Sequence, residues 1–98
     1  MGYQFKQFEI PDYMMPALEG YCRDGLVPGE FLQAVLCNDL REAVGRADHE
    51  NLPNLPAYVG YLYNEADSRC WGSVEKVAAW IMVKVAERAV LGSAKGPG

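Results

Sequence analysis

The side chains of this 98-residue chain best suited to acid–base chemistry are adjacent in sequence: Asp48, His49 and Glu50. A carboxylate beside an imidazole can form a general base or part of a metal site. Adjacent side chains in a linker usually diverge, however, and the sequence has only one histidine. We therefore expect a solvated acidic turn here, with a catalytic or metal-binding role as the less favoured alternative.

The three cysteines, Cys22, Cys37 and Cys70, are a second possible source of chemistry. Their spacing matches neither a C-x-x-C redox pair nor a zinc site. Cys70 lies just before a predicted helix, where a thiolate would be stabilised, so a nucleophilic Cys70 with His49 as its base is the enzymatic alternative. Burial of Cys70 beside Trp71 is the simpler interpretation. We expect no catalytic residue, no metal and no cofactor.

The elements that position these residues follow helical spacing. A first helix is predicted to begin near Pro16 and to end at Gly25. A second is predicted as one long helix over 29–47, because its apolar stripe stays in phase on both sides of Asn38 and Asp39.

Two further helices complete the prediction. Pro53 and Pro56 suit the first turn of the third helix. Ser73 is a good N-cap for a last helix over about 74–91, which Gly92 should end. The fold class is therefore all-α, a compact four-helix single domain over 1–91 that includes an extended N-terminal arm over 1–10. Residues 92–98 are expected to form a flexible tail.

The last predicted helix is unusually apolar, since apolar side chains cover more than half of its circumference. Such a helix is either the central helix of the bundle or carries a second buried face in an oligomer. Trp80 falls among the charged residues of this helix, between Lys84 and Glu87, and a central position would not explain that placement. Phe31 and Val35 similarly lie outside the main apolar stripe of the second helix, where the first helix or the arm is expected to cover them.

Charge is distributed unevenly along the chain. The net charge is −4, and residues 1–50 carry nine acids against four bases while residues 51–98 carry four acids against five bases. No overall basic field is present to hold a phosphate backbone, whereas the acidic half is able to steer toward a basic partner surface. A solvated acidic surface is the plainer alternative. The N-terminus is unlike a secretory signal, and the apolar run over 77–83 is too short to span a bilayer, so a soluble cytoplasmic protein is expected.

Three segments carry a family resemblance: PGEFLQAVLCNDL (28–40), LYNEA (62–66) and CWGS (70–73). They resemble a family of small, largely uncharacterised proteins encoded by bacteriophages, prophages and mobile elements. Asp67 departs from the pattern, which would place a proline there. The resemblance implies a bacterial host cell as the setting and supplies no catalytic residues.

Together these observations favour a phage-type interaction module that binds and modulates or inhibits a host protein or complex, as anti-CRISPR proteins do. Its candidate contact residues are aromatic or apolar anchors and acidic side chains: Phe31, Val35, Glu42, Asp48, Glu50, Tyr61, Trp71 and Trp80. A homodimer is a further possibility. The alternative function is a nucleic-acid-binding regulator, which would need its cations on one face: Arg41, Arg46, Arg69, Lys76, Lys84 and Arg88. A small enzyme that uses Cys70, His49 or Asp48 is the least favoured.

Overall fold

A computed structural model describes residues 2–94 of the chain, with side chains described through residue 90. Its elements are a hairpin followed by five α-helices: β1 (Gln4–Phe5), β2 (Phe8–Glu9), α1 (Met15–Asp24), α2 (Glu30–Leu36), α3 (Leu40–Arg46), α4 (Leu55–Asn64) and α5 (Val74–Ala94). Short 3₁₀ turns precede α1, α4 and α5 at Asp12–Met14, Leu52–Asn54 and Ser68–Cys70. The predicted helical class is confirmed, and the helix count is five rather than four.

The N-terminal segment is a hairpin and not the extended arm that we predicted. Phe5 pairs with Phe8 across the turn, and the amide of Ile10 donates to the carbonyl of Tyr3 at 2.8 Å. Lys6 turns the chain with a φ of 55°. The hairpin packs on α4 at Gly60, where an added Cβ would stand 2.5 Å from the Phe5 ring.

The predicted long helix over 29–47 is wrong, because the chain divides there into α2 and α3. Asn38 adopts a left-handed conformation with a φ of 63°, which asparagine tolerates better than most residues. Asp39 then caps α3 by accepting a hydrogen bond from the amide of Glu42 at 3.2 Å. The apolar stripe is not buried along its whole length, since Ala43 of α3 is buried whereas Leu40 and Val44 are exposed.

Other predicted boundaries are confirmed. Pro16 lies in the first turn of α1, and the left-handed Gly25 ends that helix. The Ser73 hydroxyl accepts from the amide of Lys76 at 3.1 Å, as an N-cap does. The predicted stop at Gly92 is wrong, since α5 continues to Ala94. The rest of the predicted tail, 95–98, lies outside the described residues.

The core forms between α1, α2, α4 and the start of α5. Its fully buried side chains include Leu18, Tyr21, Leu32, Leu36, Tyr58, Leu62 and Cys70. The Tyr21 hydroxyl donates to the carbonyl of Cys70 at 2.6 Å, which ties α1 to the turn before α5. The amide of Gly72 donates to the carbonyl of Leu36 at 2.7 Å, which ties the same turn to α2.

Candidate interaction surface

α5 contacts the rest of the molecule through the side that contains Trp80 and Lys84. Trp80 is only 6% exposed, and its indole N–H donates to the carbonyl of Tyr21 at 3.2 Å. The ammonium of Lys84 and the guanidinium of Arg69 lie 4.6 and 5.4 Å from the centroid of the indole ring. Both distances suit cation–π attraction. The position of Trp80 among charged residues is thereby explained, because those cations cover its ring.

The inward side of α5 is narrow. Val77 and Trp80 are its buried residues, and Ile81 and Lys84 are half-buried beside them. At 100° per residue these four side chains occupy an arc of about 100°. The helix is therefore not the central helix of the bundle, which was one of the two alternatives that the sequence left open.

The opposite side of α5 is apolar and exposed. Met82 is 72% exposed, Val90 67%, and Val83 and Val85 47% each. Four alanines continue the same arc, and all of them are exposed. We define the outer face of α5 as Ala78, Ala79, Met82, Val83, Val85, Ala86, Ala89 and Val90. No charged side chain lies between these residues, and contiguous exposed apolar surfaces of this kind mark interaction sites.

Three of the predicted contact residues are buried in the core. Phe31 packs edge to face against Tyr58 with the ring centroids 5.3 Å apart, and Val35 and Trp80 are likewise buried. Core side chains are not presented to a partner, which would reach them only if the helices separated. Residues of α4 lie against both side chains, Tyr58 against Phe31 and Leu55 and Val59 beside Val35, whereas we expected the first helix or the arm to cover them.

Tyr61 and Trp71 are half-buried. The Tyr61 ring lies edge to face against Tyr3 at 5.2 Å, and burial raises the pKa of its hydroxyl to about 12. Trp71 packs against the core next to Cys70. Both residues therefore have structural contacts, with only part of each side chain open to solvent.

The acidic candidates lie at two places. Glu42 pairs with Arg46 at 3.0 Å on α3. Asp48 and Glu50 lie in the linker before α4, where Asp48 accepts from the amides of Glu50 and Asn51 at 3.1 and 2.7 Å. This geometry is that of a turn-forming aspartate.

Asp48 also accepts a hydrogen bond from the exposed hydroxyl of Tyr13 at 2.7 Å. This bond lowers the pKa of Asp48 and raises that of Tyr13 to about 12. Glu50 lines a shallow concavity with Glu9 and Asp12, so the fold gathers acids that are distant in sequence. The acidity of the first half of the chain is thus partly concentrated on one side of the hairpin.

The residues considered for chemistry do not converge. Cys70 is fully buried, whereas His49 is exposed in the linker. The interaction between the Cys22 and Cys70 thiols raises the pKa of Cys22 and lowers that of Cys70. Within residues 2–94, no three histidine, cysteine or acidic side chains gather closely enough to hold a metal ion.

Several cations needed for a nucleic-acid interface have acidic neighbours. Arg46 contacts Glu30 at 2.6 Å in addition to Glu42, and Arg69 contacts Asp67 at 2.7 Å. Lys84 contacts Glu87 at 3.3 Å while its stem is held against the body. These pairs reduce the positive field that would be available to a phosphate backbone.

The outer face of α5 was not among the predicted contact residues, because alanine and valine side chains have no polar or aromatic group that would mark a site in the sequence. The wide apolar arc was visible in the sequence, but only the position of Trp80 shows which side of the helix faces the body. None of the helices in the described part of the chain combines the length and the apolarity needed to cross a membrane. Comparison of the chain with protein-family models, curated proteins and solved structures finds no match in any of the three.

Proposed function

We propose that this protein is a non-catalytic interaction module that binds another protein chain through the outer face of α5. The observation that carries the proposal is the orientation of this helix. The narrow side that contains Val77, Trp80 and Lys84 packs inside the molecule, and the wider apolar side is left exposed. Exposure of apolar area to water is unfavourable by about 25 cal/mol per Å², so covering this face with a partner would stabilise a complex.

The kind of partner is inferred from the sequence. Resemblance to phage- and prophage-encoded proteins favours a bacterial host protein or complex as the partner. Modulation or inhibition would then follow from occupying that partner's surface, in the manner of a counter-defence protein such as an anti-CRISPR. The acids gathered around Asp48 and Glu50 would favour partners that also carry a basic surface.

Affinity capture from bacterial host lysate tests the proposal when matched variants are compared. Met82→Glu places a charge at the centre of the outer face, and Arg88→Gln makes the same change in net charge elsewhere on α5. We expect a protein that wild type and Arg88→Gln both retain and that Met82→Glu loses by at least tenfold. Rebinding of the purified partner should reproduce this order. Equal recovery of every partner by all three chains would contradict a role for the outer face.

A further inference from the structure

The outer face of α5 has the spacing of a helix-pairing seam. Ala79, Met82, Ala86 and Ala89 follow one another at intervals of three, four and three residues, which is the heptad spacing of paired helices. Val83 and Val90 flank the seam on one side, and Ala78 and Val85 flank it on the other. All eight side chains are exposed, so the seam is available over about three turns of the helix.

The order of large and small residues along this seam makes it complementary to itself. In an antiparallel pair centred near Lys84, each Met82 meets Ala86 of the second copy, and each Ala79 meets Ala89 of the second copy. A large side chain then faces a small one in the two central layers, and alanine faces alanine in the two outer layers. Such alternation lets two helices approach closely without leaving voids.

Charge also favours a second copy in the antiparallel orientation. Glu75 lies on the line of the seam, one turn before Ala79, and parallel helices would place two Glu75 carboxylates opposite each other. Antiparallel helices separate them to the two ends of the contact. Arg88 lies at least about 60° around the helix from every residue of the outer face, so it takes no part in this contact.

We infer that the outer face of α5 binds a second copy of this chain, with the two α5 helices antiparallel. This inference rests on the proposed function in that it uses the same surface, and it names a second copy rather than a host protein as the occupant. The seam spans only about 15 Å between Ala79 and Ala89, so the interface is small and we expect a weak dimer that forms only at high protein concentration. Small side chains at the seam make the close approach of the helices, rather than area, the main source of affinity.

Sedimentation analysis over low to several hundred micromolar protein tests the inference. Wild type and Arg88→Gln are expected to shift from the 10.9 kDa monomer to a species of twice that mass, and Met82→Glu is expected to bind at least tenfold more weakly. Met82 is exposed, so all three chains should retain the same helical circular dichroism. A wild type that remains monomeric throughout would overturn the inference, and so would a dimer that Met82→Glu leaves unchanged.

Cysteine crosslinking tests the orientation. A mixture of Ala79→Cys and Ala89→Cys chains should form a heterodimeric disulfide on mild oxidation by oxidised glutathione. Ala79→Cys alone should crosslink no more than wild type, because its two copies would lie about 15 Å apart along the seam. Efficient crosslinking of Ala79→Cys with itself would overturn the antiparallel arrangement.

The two proposals fail in different ways. If the wild type is monomeric but captures a host partner in a Met82-dependent manner, the second copy is excluded and the interaction module stands. If the wild type is monomeric and no binding depends on Met82, both are excluded. A Met82-dependent dimer with no foreign partner supports the second copy and limits the proposed function to self-association.

Discussion

Buried polar contacts at single residues decide how the helices meet. Trp80 joins α5 to α1 through its hydrogen bond to Tyr21, and Tyr21 in turn joins α1 to Cys70. Asn51 is the buried polar residue of the core, and its side-chain oxygen accepts the hydroxyl of Tyr58. Contacts of this kind fix one arrangement of the helices, because a buried polar group without its partner is costly.

The pair of Tyr58 and Asn51 supports a first prediction. Tyr58→Phe removes the donor and leaves the Asn51 oxygen buried without this partner, so we expect the free energy of unfolding to fall by about 1–3 kcal/mol. Asn51→Leu in the Tyr58→Phe background removes the second polar group and should recover part of that loss. Urea denaturation of the two single variants and the double variant measures the coupling. Strictly additive losses would show that the two side chains do not act as a pair.

The elements differ in how far their sequence predicts them. The boundaries set by Pro16, Gly25, Pro56 and Ser73 were predictable because these residues act locally. Pro53 lies in the 3₁₀ turn before α4 and not in the first turn of the helix, as we predicted. The division between α2 and α3 was missed because the apolar stripe is in phase across it, although Asn38 and Asp39 are typical residues for a left-handed turn and a cap. The hairpin was missed because each strand pairs only two residues, too few for an alternating pattern.

The orientation of α5 could not be predicted from its own pattern. Hydrophobic periodicity favours burial of the wider apolar arc, and the structure instead buries the narrow arc that contains Trp80. The reason lies in tertiary contacts, since the backbone of Tyr21 and the cations Arg69 and Lys84 all contact the indole of Trp80. The sequence therefore indicated a second buried face as an alternative but not which side of the helix it occupied.

Gly25 provides a second prediction, at the contact between α1 and α5. Its φ of 71° is left-handed, and an added Cβ would stand 2.5 Å from the Cβ of Lys84. Gly25→Ala should therefore lower the free energy of unfolding by at least about 1–2 kcal/mol, because it combines an unfavourable backbone conformation with a displaced α5. Thermal unfolding followed by circular dichroism measures the loss of stability. Tryptophan fluorescence, to which Trp80 contributes, reports the displacement of α5.

Gly45→Ala is the matched control for this variant. Gly45 lies inside α3 with open space at its Cβ position, so alanine should stabilise the protein by about 0.5–1 kcal/mol. Opposite signs for the two variants are expected. A neutral Gly25→Ala would mean that α5 does not approach the end of α1 as closely as described.

At the scale of the whole molecule, stability and binding are assigned to different parts of α5. The molecule measures 50 × 28 × 22 Å, and α5 alone is about 31 Å long. Among its described side chains, the last half-buried one is Lys84, and every side chain over 85–90 is exposed. The first half of the helix thus completes the core, while the second half contributes only surface within the described side chains.

A chain that ends at Lys84 separates these two roles. It keeps Val77, Trp80 and the contact with Gly25, so its free energy of unfolding under dilute conditions should stay within about 1 kcal/mol of that of the full chain. It loses Ala86 and Ala89, and with them both central Met82–Ala86 layers, so it should remain monomeric at concentrations where the full chain associates. Urea denaturation of dilute samples and sedimentation of concentrated ones measure the two effects.

A chain that ends at Ala79 is the control, since it also removes the indole that joins α5 to α1. We expect it to lose about 3–5 kcal/mol, as deletion of a buried tryptophan side chain does. If the chain ending at Lys84 were destabilised as strongly, some part of the chain after Lys84 would have to pack on the body, although the side chains over 85–90 are exposed. A folded chain ending at Lys84 that still dimerised would move self-association away from α5 to another surface.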